Sequence, residues 1–167
     1  MQVSVSVKGL DGVLDTLRSL PPELVSRRGG PVRAALRKGA VVIHKQALAN
    51  LKVSTANQPS YSTGLLQKNL VVTRGKAPLV GKGERYLVRV RRKVYPGRSG
   101  RSAGGKATTT LAAANLLEYG SSKQRAEPWL RPAFAARAEQ AIRTIESELV
   151  KGVDRIVRRL AAKNKGK

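Results

Sequence analysis

Glu118 and Glu127 are the residues of this chain whose type and proximity come nearest to a catalytic pair. Paired carboxylates are able to hold a magnesium ion or to act as general acid and base. Their spacing is a weak signal, however, and Glu127 stands four residues before Arg131. Ion pairs with neighbouring arginines are therefore the simpler interpretation of both acids, and a magnesium-dependent nuclease ranks last among three candidate functions.

No other catalytic arrangement occurs in the sequence. The chain has no cysteine and a single histidine, His44, which excludes a thiolate metal site and a histidine-rich metal site. It also lacks a glycine-rich phosphate loop and a Gly-x-Ser-x-Gly nucleophile turn. We expect His44 at the surface or the boundary of the fold. The protein is predicted to be no enzyme and to need no cofactor and no metal.

The charge of the chain points to an anionic partner. Lys and Arg number 33 against 10 acids, for a formal net charge of +23, and Glu84 is the only acid between Glu23 and Glu118. Such a surface attracts polyanions and repels copies of itself, although a merely solubilising role is the alternative. DNA would be contacted at its phosphates, because no base-reading module is recognisable. The residues that we assign to DNA or to an acidic partner are Arg89, Arg91, Arg92, Lys93, Arg98, Arg101 and Lys106.

The hydrophobic pattern predicts an α+β fold, in which a small antiparallel sheet packs with a mid-chain amphipathic helix and a long C-terminal helix. Alternating valines in residues 2–7 predict a strand, and a short helix follows it and stops at Pro21. The mid-chain helix begins at Pro31, after a Gly-Gly break, and runs to about Leu51.

Two further strands and the last helix complete the pattern. Leu66, Leu70 and Val72 predict one strand, and residues 86–94 predict another with a packed face and a cationic face. The last helix has Pro132 in its first turn. Its apolar stripe comprises Phe134, Ala138, Ile142, Ile145, Leu149, Val153, Ile156 and Leu160.

We assign residues 1–162 to a single domain. Residues 96–110 are rich in Gly, Ser, Arg and Lys, so we expect a flexible basic loop that orders against a partner, with a plain surface loop as the alternative. Residues 163–167 are expected to form a disordered basic tail. The sequence shows neither a signal peptide nor a membrane-spanning stretch, so we expect a soluble protein made in a cytoplasm, without a membrane partner.

The segment 115–132, NLLEYGSSKQRAEPWLRP, holds the only tryptophan of the chain. Its residues 116–122 and 126–133 resemble the signature of the tailed-phage tail-completion, or head–tail joining, family (minor tail protein Z-like), which typically reads L-E-(aromatic)-G-T/S and then A-x-P-(aromatic)-L-R-P-A. Residues 7–11, VKGLD, and 62–66, STGLL, resemble further family patterns in the same order. The resemblance spans nearly the whole chain. It departs from the family in the basic insert near 96–110, in Trp129 where Phe is commoner, and in the displaced Pro59.

This resemblance implies a structural protein of the virion neck, at the head-proximal end of a phage tail, assembled in the host cytoplasm. The implied partners are further copies in a homo-oligomeric ring, with six-fold symmetry favoured over twelve-fold, and neighbouring neck and tail-terminator or tail-tube proteins. Phage DNA would be contacted through its backbone phosphates. A non-sequence-specific nucleic-acid-binding protein is the alternative function.

We interpret the motif as a structural latch between the sheet and the terminal helix, with a subunit interface as the alternative. Gly120 allows a sharp turn, Pro128 fixes an extended approach, and Pro132 starts the helix. Trp129 and Leu130 are expected to fill an apolar pocket. The residues of this latch or interface are Glu118, Tyr119, Gly120, Pro128, Trp129, Leu130, Arg131, Pro132 and Phe134.

Overall fold

The computed structural model describes residues 30–56, 64–76, 84–96 and 108–165. In chain order these form helix α1 (Pro31–Ala56), the one-turn helix α2 (Leu65–Lys68), strands β1 (Leu70–Arg74) and β2 (Tyr86–Val90), helix α3 (Thr110–Tyr119) and helix α4 (Leu130–Lys165). The strand predicted at residues 2–7, the short helix after it and most of the basic loop lie outside the described residues. The candidate contacts Arg98, Arg101 and Lys106 lie outside them as well.

Helices α1 and α4 pack along each other in opposite directions and form the most extensive contact between elements. At one end, the side-chain amide of Asn50 donates to the carbonyl of Trp129 at 3.1 Å. Toward the other end, the ammonium of Lys38 lies 2.5 Å from the carboxylate of Glu148. The long terminal helix that the sequence predicts is thus confirmed, and it packs on the predicted mid-chain helix.

Small residues line this helix contact and let the two backbones approach closely. Ala35 and Ala47 of α1 are fully buried, and Ala141 of α4 is nearly so. A Cβ atom added to Gly39 would stand 2.5 Å from Cγ1 of Ile145, so the glycine is required by the close approach. The pair therefore depends on tight packing of small side chains as well as on buried area.

Strands β1 and β2 form a two-stranded antiparallel sheet, as the sequence predicts. Leu70 pairs with Val90 and Val72 pairs with Val88, so these alternate residues share one face. Leu70, Val88 and Val90 join the core cluster on α1. The ring Nε2–H of half-buried His44 donates to the carbonyl of Leu70 at 3.0 Å and ties β1 to α1.

One hydrophobic core joins the C-terminal half of α1 to the hairpin, to α2 and α3, and to the start of α4. Burial of these apolar side chains is the main favourable contribution to folding. Trp129, which is 2% exposed, is the one aromatic side chain among the buried core residues that the structure describes. The buried members of this core are Ala47, Leu51, Leu66, Leu70, Ala114, Leu117, Trp129 and Ala133.

The predicted boundaries of β1 are wrong at its start. Leu66 lies in helix α2, and β1 begins only at Leu70. These two leucines are four residues apart, a spacing that fits one helical turn as well as an alternating strand. Gly64, in a left-handed conformation with φ 69°, starts the helical turn.

The predicted boundary of β2 is wrong at its end. The strand stops at Val90, and Val94 is 58% exposed instead of continuing the packed face. Beyond Val90 the backbone turns to the start of α3, where the N–H of Thr110 donates to the carbonyl of Lys93 at 2.8 Å. Val94 forms only an isolated bridge with Thr109.

Helix α3 is missing from the prediction, which extends the basic loop to residue 110. Its start and stop signals were present in the sequence. The hydroxyl of Thr109 accepts the N–H of Ala112 at 3.3 Å as an N-terminal cap, and Gly120 ends the helix. The intervening residues include several alanines and leucines, which favour helix.

Helix α4 is longer than predicted at both ends. It begins at Leu130, so that Pro132 lies in its first turn as expected, and it ends at Lys165. Residues 163–165 of the predicted disordered tail are therefore helical, and residues 166 and 167 lie outside the described chain. Phe134 is 41% exposed, which removes it from the predicted apolar stripe; the buried residues of this face are Ala133, Ala141 and Leu149.

Candidate functional site: a helix joint beside a cationic strand

The carboxylate of Glu118 binds the N-terminus of helix α4. Its Oε2 atom accepts the backbone N–H groups of Trp129 and Leu130, both at 2.8 Å. Its Oε1 atom accepts the backbone N–H of Arg131 at 3.1 Å, and the next residue, Pro132, has no N–H. One side chain thus satisfies the free donors of the first turn and places negative charge at the positive end of the helix dipole.

Burial alone would raise the pKa of Glu118, since the residue is only 4% exposed. The hydrogen bonds from the backbone N–H groups of Leu130, Trp129 and Arg131, and from the Arg131 guanidinium, together outweigh burial. The pKa therefore lies below its ordinary value of 4.5. Glu118 is therefore ionised at neutral pH. We call the contact between the end of α3 and the start of α4 the joint, and Glu118 gives it a fixed negative charge.

Arg131 closes the joint from the solvent side. Its Nε atom donates to Oε1 of Glu118 at 2.9 Å, and its Nη2 atom donates to the carbonyl of the same residue at 3.0 Å. The guanidinium also lies 4.9 Å from the centre of the Tyr119 ring, a cation–π contact. The positive charge of Arg131 is thus paired within the joint.

Glu127 does not form the ion pair that its spacing suggests, because Arg131 pairs with Glu118 instead. The backbone of Glu127 returns to α3, where its N–H donates to the carbonyl of Leu117 at 2.8 Å. Its Oε2 atom is buried and has no hydrogen-bond partner among the described residues. Since both oxygens of Glu118 already accept hydrogen bonds, the two acids are not a pair of free carboxylates.

Gly120 makes the reversal between α3 and α4 sterically feasible. Its φ is 72°, and its N–H donates to the carbonyl of Leu116 at 2.8 Å. A Cβ atom at this position would stand 2.7 Å from the backbone N of Ala126 and 2.8 Å from the carbonyl oxygen of Gln124. Glycine is therefore required here both by the backbone angle and by the close backbone approach.

Trp129 connects three elements at the centre of the joint. Its indole Nε1–H donates to the carbonyl of Ala114 in α3 at 3.4 Å, and its own carbonyl accepts the amide of Asn50 in α1. Leu130, which follows it, packs partly buried against the same core. The structure thus brings together Glu118, Gly120, Trp129, Leu130, Arg131 and Pro132 of the predicted latch.

The other two aromatic residues of the predicted latch do not share this pocket. Tyr119 is 66% exposed and Phe134 is 41% exposed, whereas Trp129 is 2% exposed. Pro128 is also exposed, directly before the buried indole. Tyr119 lies on the solvent side of α3, and Phe134 lies one residue after the buried Ala133. Their closeness to Trp129 in the sequence therefore did not distinguish these two exposed aromatic side chains from the buried one.

The cationic run Arg89, Arg91, Arg92 and Lys93 is exposed along its whole length. Its backbone is nevertheless held firmly, because the buried Thr110 hydroxyl accepts the N–H of Lys93 at 2.9 Å and donates to the carbonyl of Arg91 at 2.5 Å. Within the described chain, no ion pair involves these four side chains. The backbone that Thr110 holds in place and the unpaired cations that it carries together form a surface suited to binding anions.

Arg85 belongs to the same surface but was missed from the sequence. It precedes β2 and is exposed. The carbonyl of Arg85 accepts the N–H of Gly75, and the N–H of Arg91 donates to the carbonyl of Asn69, so the strand pairing continues to both residues. Arg85, Arg89 and Arg91 therefore share the sheet face opposite the core. The alternation of the strand, extended by one step, would have identified it. Its neighbour Glu84 does not neutralise this face, because its carboxylate binds Arg33 and Arg74.

The pKa of Glu84 is lowered, first by the hydrogen bonds from Arg74 and then by those from Arg33. The pKa of Glu148 is likewise lowered, mainly by its hydrogen bond with Lys38. Both acids are therefore ionised, and each forms ion pairs within the fold. Excess positive charge remains at the surface of the hairpin and of the long helix.

The described residues contain no cluster of three or more His, Cys, Asp or Glu side chains able to hold a metal ion. None of the helices within the described ranges combines the length and the apolar character needed to cross a membrane. Comparisons with protein-family models, with curated proteins and with solved structures gave no match.

Proposed function

We propose that this chain is a structural protein of a tailed-phage neck, which completes the tail and joins it to the head as a ring around the DNA path. The observation that carries the proposal is the joint itself. The residues that resemble the tail-completion signature form one hydrogen-bonded unit, in which Glu118 holds the start of α4 and Trp129 fills the core. A motif used in this way fixes the position of one helix relative to another. This role suits a structural protein of an assembly better than an enzyme.

The exposed cations fit the same role. A ring through which DNA passes benefits from charges that neutralise phosphates without gripping particular bases. Arg89 on β2 and Arg91, Arg92 and Lys93 after it present such charges from a fixed backbone. The aromatic residues that flank this segment, Tyr86 and Tyr95, are both half-buried and do not form an exposed surface for base stacking. The same surface would also suit an acidic neighbouring ring.

The test is the location of the protein in phage particles. Purified particles and purified tails of the phage that encodes the chain are analysed by mass spectrometry and by electron microscopy. We expect the chain in the neck in a fixed copy number, six-fold in preference to twelve-fold, and we expect tails that fail to join heads when its gene is removed. Absence from purified infectious particles would overturn the proposal.

A non-sequence-specific nucleic-acid-binding protein is the second candidate, and the unpaired cationic run favours it. In this case the isolated, monodisperse protein shifts DNA of any sequence in a gel, and the shift is lost as salt rises. Formation of rings by a protein that binds DNA only weakly would favour the neck protein instead.

A further inference from the structure

Helix α3 carries an exposed face without any charge, in a chain whose surface is otherwise strongly cationic. No Lys or Arg occurs between Lys106 and Lys123, which is the longest such interval in the sequence. The buried side of α3 holds Thr110, Ala114, Leu117 and Glu118. Its opposite side consists of Leu111, Ala112, Asn115, Leu116 and Tyr119, all of them exposed; we call these five residues the α3 face.

The α3 face is apolar as well as uncharged. Leu111 is 42% exposed, Leu116 is 39% exposed and Tyr119 is 66% exposed. At a helical repeat of 3.6 residues these positions fall on one side of the helix. Val94, 58% exposed, is bridged to the residue before α3 and extends the apolar surface at that end.

The cation that contacts the Tyr119 end of this face is neutralised, while the exposed cations Arg92 and Lys93 lie beyond the opposite end, next to Val94. Arg131 lies over the Tyr119 ring, but its guanidinium is paired with the carboxylate of Glu118. The joint therefore keeps a positive charge from standing free at the edge of the face. Neither α1 nor α4 offers a comparable surface, because exposed cations such as Arg37, Lys45 and Arg143 recur along them.

We infer that the α3 face is the surface through which one copy of this chain contacts another copy. Two molecules of charge +23 repel each other, so they approach at low electrostatic cost only where neither presents a cation. An acidic partner protein would instead be drawn to the cationic surfaces. The inference rests on the proposed function in one respect: in the proposed ring, the α3 face of one subunit would contact a different, uncharged surface of the next subunit, because a face packed on its own copy closes only a two-fold pair.

The test is self-association of the full chain, freed of nucleic acid by nuclease, in sedimentation equilibrium over a range of protein and salt concentrations. Association of the wild type should strengthen as salt rises, because salt screens the repulsion while an uncharged contact keeps its strength. Asn115→Lys places a cation at the centre of the face without removing apolar packing, and lysine favours helix more than asparagine does. It should weaken association about tenfold or more, and Leu116→Lys should do the same.

Val157→Lys is the matched control, since Val157 is 52% exposed on α4 and gains the same charge. The inference is supported if the Val157→Lys control associates nearly as well as the wild type while both α3 variants associate more weakly. The three variants should be equally stable to heat. Wild type that stays monomeric at every salt concentration would overturn it, as would α3 variants that associate like the control. Association that weakens with salt would also overturn it, in favour of ion pairs. None of these outcomes bears on whether the chain is found in phage particles, so the proposed neck role succeeds or fails separately.

Discussion

The Oε2 atom of Glu118 lies 2.8 Å from the backbone nitrogen of Trp129, so the last turn of α3 provides the cap for the first turn of α4. The bond thus links the end of one helix to the start of the next. Because Trp129 is at the same time buried in the core, one polar contact and one apolar contact at the same residue hold the start of the long helix. Loss of either is expected to loosen the other.

Replacing Glu118 with alanine should destabilise the fold by about 2–4 kcal/mol. Three backbone N–H groups would lose a charged acceptor, and a helix cap would be removed. The ion pair with Arg131 adds little, since that side chain is 61% exposed. The measurement is urea unfolding followed by the fluorescence of the single tryptophan, which lies beside the substitution. The control, Glu139→Ala, removes a carboxylate that is 87% exposed and should change stability by no more than about 0.5 kcal/mol. Equal effects of the two substitutions would contradict the role of Glu118 as the cap.

The stability of the protein should fall at acid pH in part through Glu118. Its folded pKa lies below the ordinary value of 4.5, so its contribution is fully present above pH 4.5 and is lost as the pH falls through the folded pKa. Glu118→Gln cannot titrate, and the variant should lose less stability than the wild type between neutral pH and the acid limb. The midpoint of thermal unfolding, measured at a series of pH values, tests this. Glu84 and Glu148, whose pKa values are also lowered, should keep part of the acid sensitivity in the variant. Parallel curves for the two proteins would show that Glu118 is not held ionised by the joint.

The sequence predicted the parts of the fold that depend on one long periodic pattern. The α1 and α4 helices and the antiparallel pairing of the hairpin follow from spacing and alternation. It did not predict α3, whose threonine-rich start continues a Gly-Ser-Arg run, so composition suggested a loop although Thr109 is a good cap. The loop-like composition and the helix cap are competing local signals. Only the tertiary packing of Ala114 and Leu117 on the core decides in favour of the helix.

The sequence predicted which residues form the candidate site better than it predicted the contacts between them. The motif placed Glu118 and Arg131 near Trp129, yet the spacing rule assigned the ion pair of Arg131 to Glu127, because four residues is the distance of one helical turn. That rule holds only inside a helix. Glu127 lies in the connection before α4, so its side chain is not on the helix surface, and the arginine reaches back to α3 instead.

Gly39→Ala should destabilise the protein by about 1–3 kcal/mol, even though alanine favours an exposed helix by about 1 kcal/mol over glycine. The added Cβ atom would stand 2.5 Å from Cγ1 of Ile145 and 3.1 Å from the carbonyl oxygen of Ala141, and the latter is backbone that cannot move aside readily. Thermal unfolding monitored by circular dichroism measures the change. The double variant Gly39→Ala with Ile145→Val removes part of the clash and should recover part of the loss. A single variant more stable than the wild type would show that α1 and α4 do not approach as closely as described.

Removing Arg89 and Arg91 should weaken the binding of double-stranded DNA and reduce its salt dependence. Both side chains are exposed, unpaired within the described chain and mounted on a backbone that Thr110 and Asn69 hold in place. If each contacts one phosphate, the slope of log K against log salt should become shallower by about 0.9 per contact, or about 1.8 for Arg89→Ala with Arg91→Ala. Fluorescence anisotropy of a labelled duplex at several salt concentrations provides the slope. Arg155→Ala with Arg158→Ala is the control, because it removes the same charge and residue type from the exposed far end of α4. A similar change in slope for both double variants would mean that DNA responds to the net charge of the chain, and the hairpin would then have no special part in binding it.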